Sequence, residues 1–203
     1  MGIFQAWRKE INAHRKVIFF SIVLLILANV LYQIAGDYVN EIGSVQATDL
    51  ILDNIPTIDL SILYVYGSIL IVAILIVYSL VFRVKKFHVV LSQLSLLIML
   101  RSFFITLTHL KTPANAVTMH IPRFYNFITF NNDLFFSGHT AIAFLAFLIF
   151  RKEKIGIFFL ISTFVMMMTV LFMHVHYSID VFAALFITYG SYKIGEWLFK
   201  FMD

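Results

Sequence analysis

Apolar residues in this chain come in long unbroken runs, not in strict alternation. The runs cover 17–35, 61–82, 88–107, 134–150, 155–173 and 178–199. Each approaches or reaches the roughly 20 residues a helix needs to cross a hydrocarbon core about 30 Å thick. The pattern predicts an all-α integral membrane protein, with six transmembrane helices in one bundle and a single membrane domain over residues 1–203. The first run exceeds the roughly 7–15 apolar residues of a signal peptide, and no small-x-small site closely follows it, so it is expected to be a retained span. Polar connectors separate the runs. The stretch 36–59 carries Asp37, Glu41, Asp49, Asp53 and Asp59 with no Lys or Arg, and 108–133 holds Lys111, Pro113, His120, Pro122 and Arg123. A short link, 174–177, joins the last two runs, and no repeat or low-complexity tract interrupts the series.

Composition agrees. The chain is 61% hydrophobic and 13% charged, against about a quarter charged in a soluble domain. That excludes an ordinary water-soluble fold and a disordered chain, and the lack of Cys excludes a disulfide scaffold. The excess of 15 Lys and Arg over 11 Asp and Glu points to bilayer orientation and not to nucleic acid. Arg8, Lys9, Arg15 and Lys16 precede the first run; Arg83, Lys85 and Lys86 follow the second; Arg151, Lys152 and Lys154 follow the fourth; Lys200 follows the sixth. The alternate connectors hold only Lys111 and Arg123. Both termini are therefore expected in the cytoplasm, with 36–60, 108–133 and 174–177 on the opposite face.

Polar groups inside a membrane are costly, which makes them candidates for function. Arg101 lies thirteen residues past His88, about 20 Å up the third span and nearer the outer face; the alternative is an arginine snorkelling to the interface. Ser137-Gly138-His139-Thr140 opens the fourth span, where free N–H groups and the helix dipole favour an anion and a His suits proton transfer. The same tetrapeptide also reads as a plain helix start with Ser137 as N-cap. His176 and Asp180, four apart, share a helical face. The carboxylate then fixes the imidazole tautomer and leaves the other nitrogen as nucleophile or base, or the pair only holds helices together. His174 is expected to point elsewhere, in an interface role. The predicted topology brings Arg101, His139, His176 and Asp180 to the outer face: a cation, an anion-binding helix start, a nucleophile and a general acid. No carboxylate cluster suited to Mg²⁺ accompanies them, so no metal or cofactor is expected in the reaction. Tyr64, Tyr66, Phe124 and Tyr125 suit a cage for a quaternary amine, although aromatics this abundant are expected first in packing.

These residues resemble a family. Asp133-Leu134-Phe135-Phe136-Ser137-Gly138-His139-Thr140 and His174-Val175-His176-Tyr177-Ser178-Ile179-Asp180-Val181 are similar to the third and fourth signatures of sphingomyelin synthases, within the type 2 phosphatidic acid phosphatase superfamily. Arg101 with Thr108 and Leu110 resembles the second signature, with Lys111 where the family has proline, and Ile55-Pro56 to Asp59 echoes the first. The chain would be a member without the amino-terminal domain of some animal relatives. The resemblance implies six spans, an outward site and transfer of a phospho-headgroup from a phospholipid donor to a lipid alcohol such as ceramide or diacylglycerol. It gives His176 as nucleophile, Asp180 as its orienting partner and His139 as acid then base, with Arg101, Ser137 and Gly138 on phosphate. A lipid phosphate phosphatase with water as acceptor is the alternative. Its Lys/Arg-rich first signature is not evident, and Val170 stands six before His176 where an Arg is expected. A transporter often shows repeats or broken helices in matched positions, and none is seen; a haem bundle on His139 and His176 would leave Asp180 and Ser137-Gly138 unexplained.

Overall fold

The computed structural model describes residues 3–42, 45–118 and 134–200. The expected features at Asp133, His120, Pro122, Arg123, Phe124 and Tyr125 lie outside them. Six long helical runs follow one another: α1 (Ile3–Glu41), α2 (Leu63–Phe82), α3 (Phe87–Leu107), α4 (Gly138–Phe150), α5 (Lys154–Phe172) and α6 (Ser178–Lys200). Among the described residues there is no strand, only an isolated bridge between Val45 and Leu110. α2 is α-helical over Ser68–Val77 and winds into π turns at Leu63–Gly67 and Tyr78–Phe82.

Four of these helices are long and apolar enough to cross a membrane: Phe4–Glu41, Leu63–Phe82, Val84–Leu107 and Lys154–Phe172. α4 is apolar but only 13 residues long. The fourth apolar run begins at 134, yet its first four residues are not helical. α6 carries Asp180, Lys193 and Glu196 on an otherwise apolar helix, and Phe182, Phe186, Tyr189 and Trp197 form an exposed stripe at helical spacing along it. Ile157, Ile161 and Phe164 do the same on α5, and Ile22, Ile26, Val30 and Ile34 on α1. Exposed apolar stripes of this extent mark surfaces that meet lipid.

α4 lies at the centre, packed by α2, α3, α5 and α6. Its inward positions are small, with Ala141, Ala143 and Ala146 fully buried beside Ala184 of α6, and this lets backbones approach closely. Phe150 and Phe159 stack below them with ring centroids 6.0 Å apart. α1 packs along α3, where Ser95 Oγ donates to Ser21 O at 2.9 Å and Ser102 Oγ to Ala28 O at 3.3 Å. Such hydroxyl–carbonyl bonds join helices where no hydrophobic drive exists between apolar surfaces already in lipid.

The connectors sort to two ends. Glu153, between α4 and α5, accepts from Arg83 Nε at 2.6 Å and lies 3.1 Å from Lys86 Nζ, tying that turn to the α2–α3 turn. Trp7 Nε1 donates to Leu80 O at 3.2 Å, which brings the amino-terminal arm to the same end. At the other end Val45 pairs with His109 and Lys111, Ile58 N donates to Phe172 O at 2.8 Å, and Val117 N donates to Met173 O at 3.0 Å. The connectors expected together on each face are thus together in the structure.

α3 and α6 touch most tightly at Gly195, where an added Cβ would lie 2.7 Å from Gln93 Cδ. Gln93 is buried, and its Nε2 donates to Tyr192 O at 3.1 Å. Gly195→Ala is expected to displace this amide and lower stability by about 1–3 kcal/mol. Gly190→Ala, whose Cβ meets nothing within 4 Å, is the control. Thermal unfolding in detergent measures both.

Candidate functional site

A non-helical strap, residues 134–137, leads into α4, and its backbone sets the neighbouring side chains. His176 Nδ1 lies 3.0 Å from Leu134 O and 3.4 Å from Asp180 Oδ2. Both oxygens only accept, so Nδ1 carries the proton and the lone pair of the neutral ring is on Nε2. Arg101 Nε donates to Phe136 O at 3.1 Å. Ser137 N donates to Asp180 O at 3.2 Å. Apolar side chains give these strap residues the look of a membrane span, while their polar backbone groups are committed to the residues around them.

His176 and Asp180 do not share a helical face, as their spacing suggests. α6 begins at Ser178, so His176 sits in the preceding turn. Asp180 reaches back, its Oδ2 accepting from Tyr177 N at 3.0 Å in the manner of half a capping box. The carboxylate thus caps the helix and meets the imidazole with one oxygen, and the Leu134 carbonyl is the nearer partner of Nδ1. His174 lies apart, as expected of it. Its backbone takes a left-handed φ of 54°, and its Nδ1 faces Thr57 Oγ1 at 3.3 Å.

Ser137 is the N-cap of α4, its hydroxyl accepting from Thr140 N at 3.5 Å. The next N–H groups, of Gly138 and His139, begin the helix and have no intrahelical acceptor. The Arg101 guanidinium lies directly on this helix start. A Cβ on Gly138 would stand 2.9 Å from Arg101 Nε and 3.2 Å from its Cζ, so a side chain there would displace the guanidinium. Arg101 also covers the Tyr32 ring at 5.3 Å, and the residue is 9% exposed. It is therefore not a snorkelling arginine. The His139 ring packs on Tyr64, centroids 3.9 Å apart, and lies near Arg101 and His176. Tyr66, by contrast, faces outward at 57% exposure. The structure thus gathers Arg101, Ser137, Gly138, His139, His176 and Asp180 around the amino end of α4.

Asp49 was not singled out in the sequence. It is buried in the first connector, and its Oδ2 accepts from Ser178 N at 2.6 Å. Its Oδ1 accepts from Ile51 N at 2.9 Å and Leu52 N at 3.1 Å. Two carboxylates from distant parts of the chain therefore cap α6. Nothing local to Asp49 betrays this, since its target lies 129 residues away. Tyr177 seals the same corner, with its hydroxyl donating to Lys111 O at 2.8 Å and accepting from Ala47 N at 3.1 Å.

Residues 132–196 match the family model for the PAP2 superfamily C-terminal domain. The match spans α4, α5 and most of α6, with Ser137, Gly138, His139, His176 and Asp180 inside it and Arg101 outside. It supports placing the chain in the type 2 phosphatidic acid phosphatase superfamily, whose members are generally enzymes acting on phosphorylated lipids. No curated protein and no solved structure matches the chain.

Burial by itself would raise the Asp49 pKa, but the N–H groups of Ser178, Leu52 and Ile51 and the Ser178 hydroxyl outweigh it and hold the carboxyl below its ordinary value. A carboxyl depressed in the fold stabilises above its unfolded pKa, about 4, and loses that contribution as pH falls through the lower folded value. Asp49→Asn is expected to lose about 1.5–3 kcal/mol at pH 7, the scale of hydrogen bonds to a charged group. The gap from wild type should narrow below pH 4. Thermal unfolding across pH measures it.

Proposed function

We propose that the protein is a lipid phosphotransferase that moves a phospho-headgroup, of the phosphocholine or phosphoethanolamine type, from a glycerophospholipid to a lipid alcohol such as ceramide or diacylglycerol. The observation that carries the reading is the His176 ring. Its Nδ1 proton is committed to Leu134 O and Asp180, so Nε2 is the nucleophilic nitrogen, beside a helix start and a buried arginine.

His176 Nε2 attacks the donor phosphorus, and the P–O bond to diacylglycerol breaks. Protonated His139 gives its proton to the departing oxygen. The headgroup phosphate stays on His176, its oxygens facing Arg101 and the N–H groups of Gly138 and His139. The acceptor hydroxyl then attacks phosphorus and yields its proton to His139. The P–N bond breaks, and both histidines regain their first states. Asp180 and Leu134 O hold the ring and stabilise the charge it gains. With a lipid phosphomonoester as donor and water as acceptor, the same steps are those of a lipid phosphatase, the second reading.

The reading takes the six helical runs as six spans, four of them long and apolar enough to cross a membrane. The basic connectors lie at one end of the bundle and the candidate residues at the other. The reading puts both termini in the cytoplasm and the reaction on the opposite face.

Purified protein incubated with labelled phospholipid, with and without ceramide or diacylglycerol, is expected to make a new phospholipid only when acceptor is present. Release of free phosphate from labelled phosphatidate, with no transfer to ceramide or diacylglycerol from the phosphodiester donor, would favour the phosphatase. His176→Ala should abolish transfer and any phospho-headgroup adduct. His139→Ala should slow transfer about 10²–10⁴-fold, the usual worth of general acid catalysis. It should still form adduct from a nitrophenyl ester, whose leaving group needs no proton. The opposite pattern would exchange the two roles.

In intact cells, Cys placed at Asn40 and at Asn115 should react with an impermeant thiol reagent. Labelling only after permeabilisation would reverse the orientation.

A further inference from the structure

The far end of α3 holds a second group of side chains, thirteen residues or about 20 Å from Arg101. Glu10 and His14 of α1 meet His88 of α3, and one ligand atom of each lies within 4.8 Å of the others. Among the described residues no other trio of His, Asp or Glu meets this spacing, so the group is separate from His139, His176 and Asp180. Glu10 is buried at 5% exposure and is the only carboxylate before Asp37. Its Oε1 stands 2.6 Å from His88 Nδ1. The rings of His14 and His88 stack, with centroids 3.9 Å apart and planes 14° apart.

The backbone gives a second, independent observation. α1 leaves helical geometry at His14, with φ −120° and ψ 26°. Sharp kinks fall at Pro, at Gly/Ser pairs, at π-bulges or at inserted groups, and residues 12–16 contain no Pro, Gly or Ser. The break falls on the residue that brings the second imidazole to Glu10 and His88.

We propose that Glu10, His14 and His88 bind a divalent transition-metal ion of the zinc type, clipping the amino-terminal arm of α1 to the start of α3. Two imidazole nitrogens and one carboxylate oxygen are a donor set for Zn²⁺, with water in the fourth position. Bonds of about 2.0–2.2 Å in a tetrahedron put ligand atoms about 3.3 Å apart. The Glu10–His88 pair opens by less than about 1 Å to reach this, and His14 closes by up to about 1.5 Å as the rings rotate out of their stack. The metal takes the place of the proton between Glu10 and His88, which is released to solvent. Arg8, Lys9, Arg15 and Lys16 nearby are exposed, so water and salt screen their repulsion of the ion. The inference is independent of the reaction proposed at the other end of the bundle.

The test uses full-length protein without a histidine tag, stripped with chelator in detergent and titrated with ZnCl₂ by calorimetry. One equivalent should bind and raise the unfolding temperature, and Co²⁺ should give the visible absorption of a four-coordinate site. The double variant His14→Gln/His88→Gln should lose the bound equivalent, the thermal shift and the Co²⁺ bands, while His139→Gln/His176→Gln keeps all three. Metal-free melting of each variant shows whether it folds. Glu10→Gln, nearly isosteric, should also lose the Co²⁺ bands. Failure of the wild-type chain to bind an equivalent, or retention of that equivalent in His14→Gln/His88→Gln, overturns the proposal.

Discussion

The amino end of α6 is the constraint on which its whole end of the bundle depends. A helix start buried under loops must find acceptors for its first N–H groups. Here they come from Asp180, which reaches back to Tyr177 N, and from Asp49, which reaches across from the first connector to Ser178 N. Asp180 is fully buried and also touches His176. One carboxylate thus couples helix termination to imidazole orientation, and a second fixes the connector that closes over them. Because Tyr177 bonds both outer connectors, the α5–α6 turn cannot shift without moving them as well.

The strap before α4 is the complementary half of this arrangement. Leu134 O receives His176, Phe136 O receives Arg101, and Ser137 N binds Asp180 O. Two side chains, from α3 and from the α5–α6 turn, and the main chain of α6 at Asp180 are held by the backbone of four consecutive residues. A backbone already bonded in this way resists rotation more than a set of paired side chains would, since it has few rotamers to lose. The tight seat of Arg101 on Gly138 adds a steric limit of the same kind.

The helical runs were legible because lipid leaves a chain few choices. Every backbone group must be bonded within the span, and the outward side chains must be apolar. The clustering of His139, His176, Asp180 and Arg101 was legible for the same reason, since charge counting alone assigned the connectors to ends. The local geometry was not. Leu134, Phe135 and Phe136 read as the start of a span because hydropathy reports side chains and is blind to where carbonyls point. The spacing of His176 and Asp180 suggested one helical face, whereas the helix starts between them. Asp49 was one of several loop acids, and only the folded chain distinguishes it from its neighbours. Tyr64 was one aromatic among many until His139 was found upon it.

α4 rises only about 20 Å from Phe150 to Gly138, some 10 Å short of a hydrocarbon core about 30 Å thick. With 21 and 19 residues, α3 and α5 run longer beside it. Lipids are anchored by their tails and sample headgroup depth by small vertical excursions. On the function proposed above, a donor lipid would reach the start of so short a helix sideways, along the leaflet. Encounter then becomes a two-dimensional search, with local concentrations set by membrane composition. A soluble phosphoester of the same headgroup would have to descend from water alone, without tails to hold it there. On that reading, the shortness of one central helix would favour amphiphiles over soluble phosphoesters.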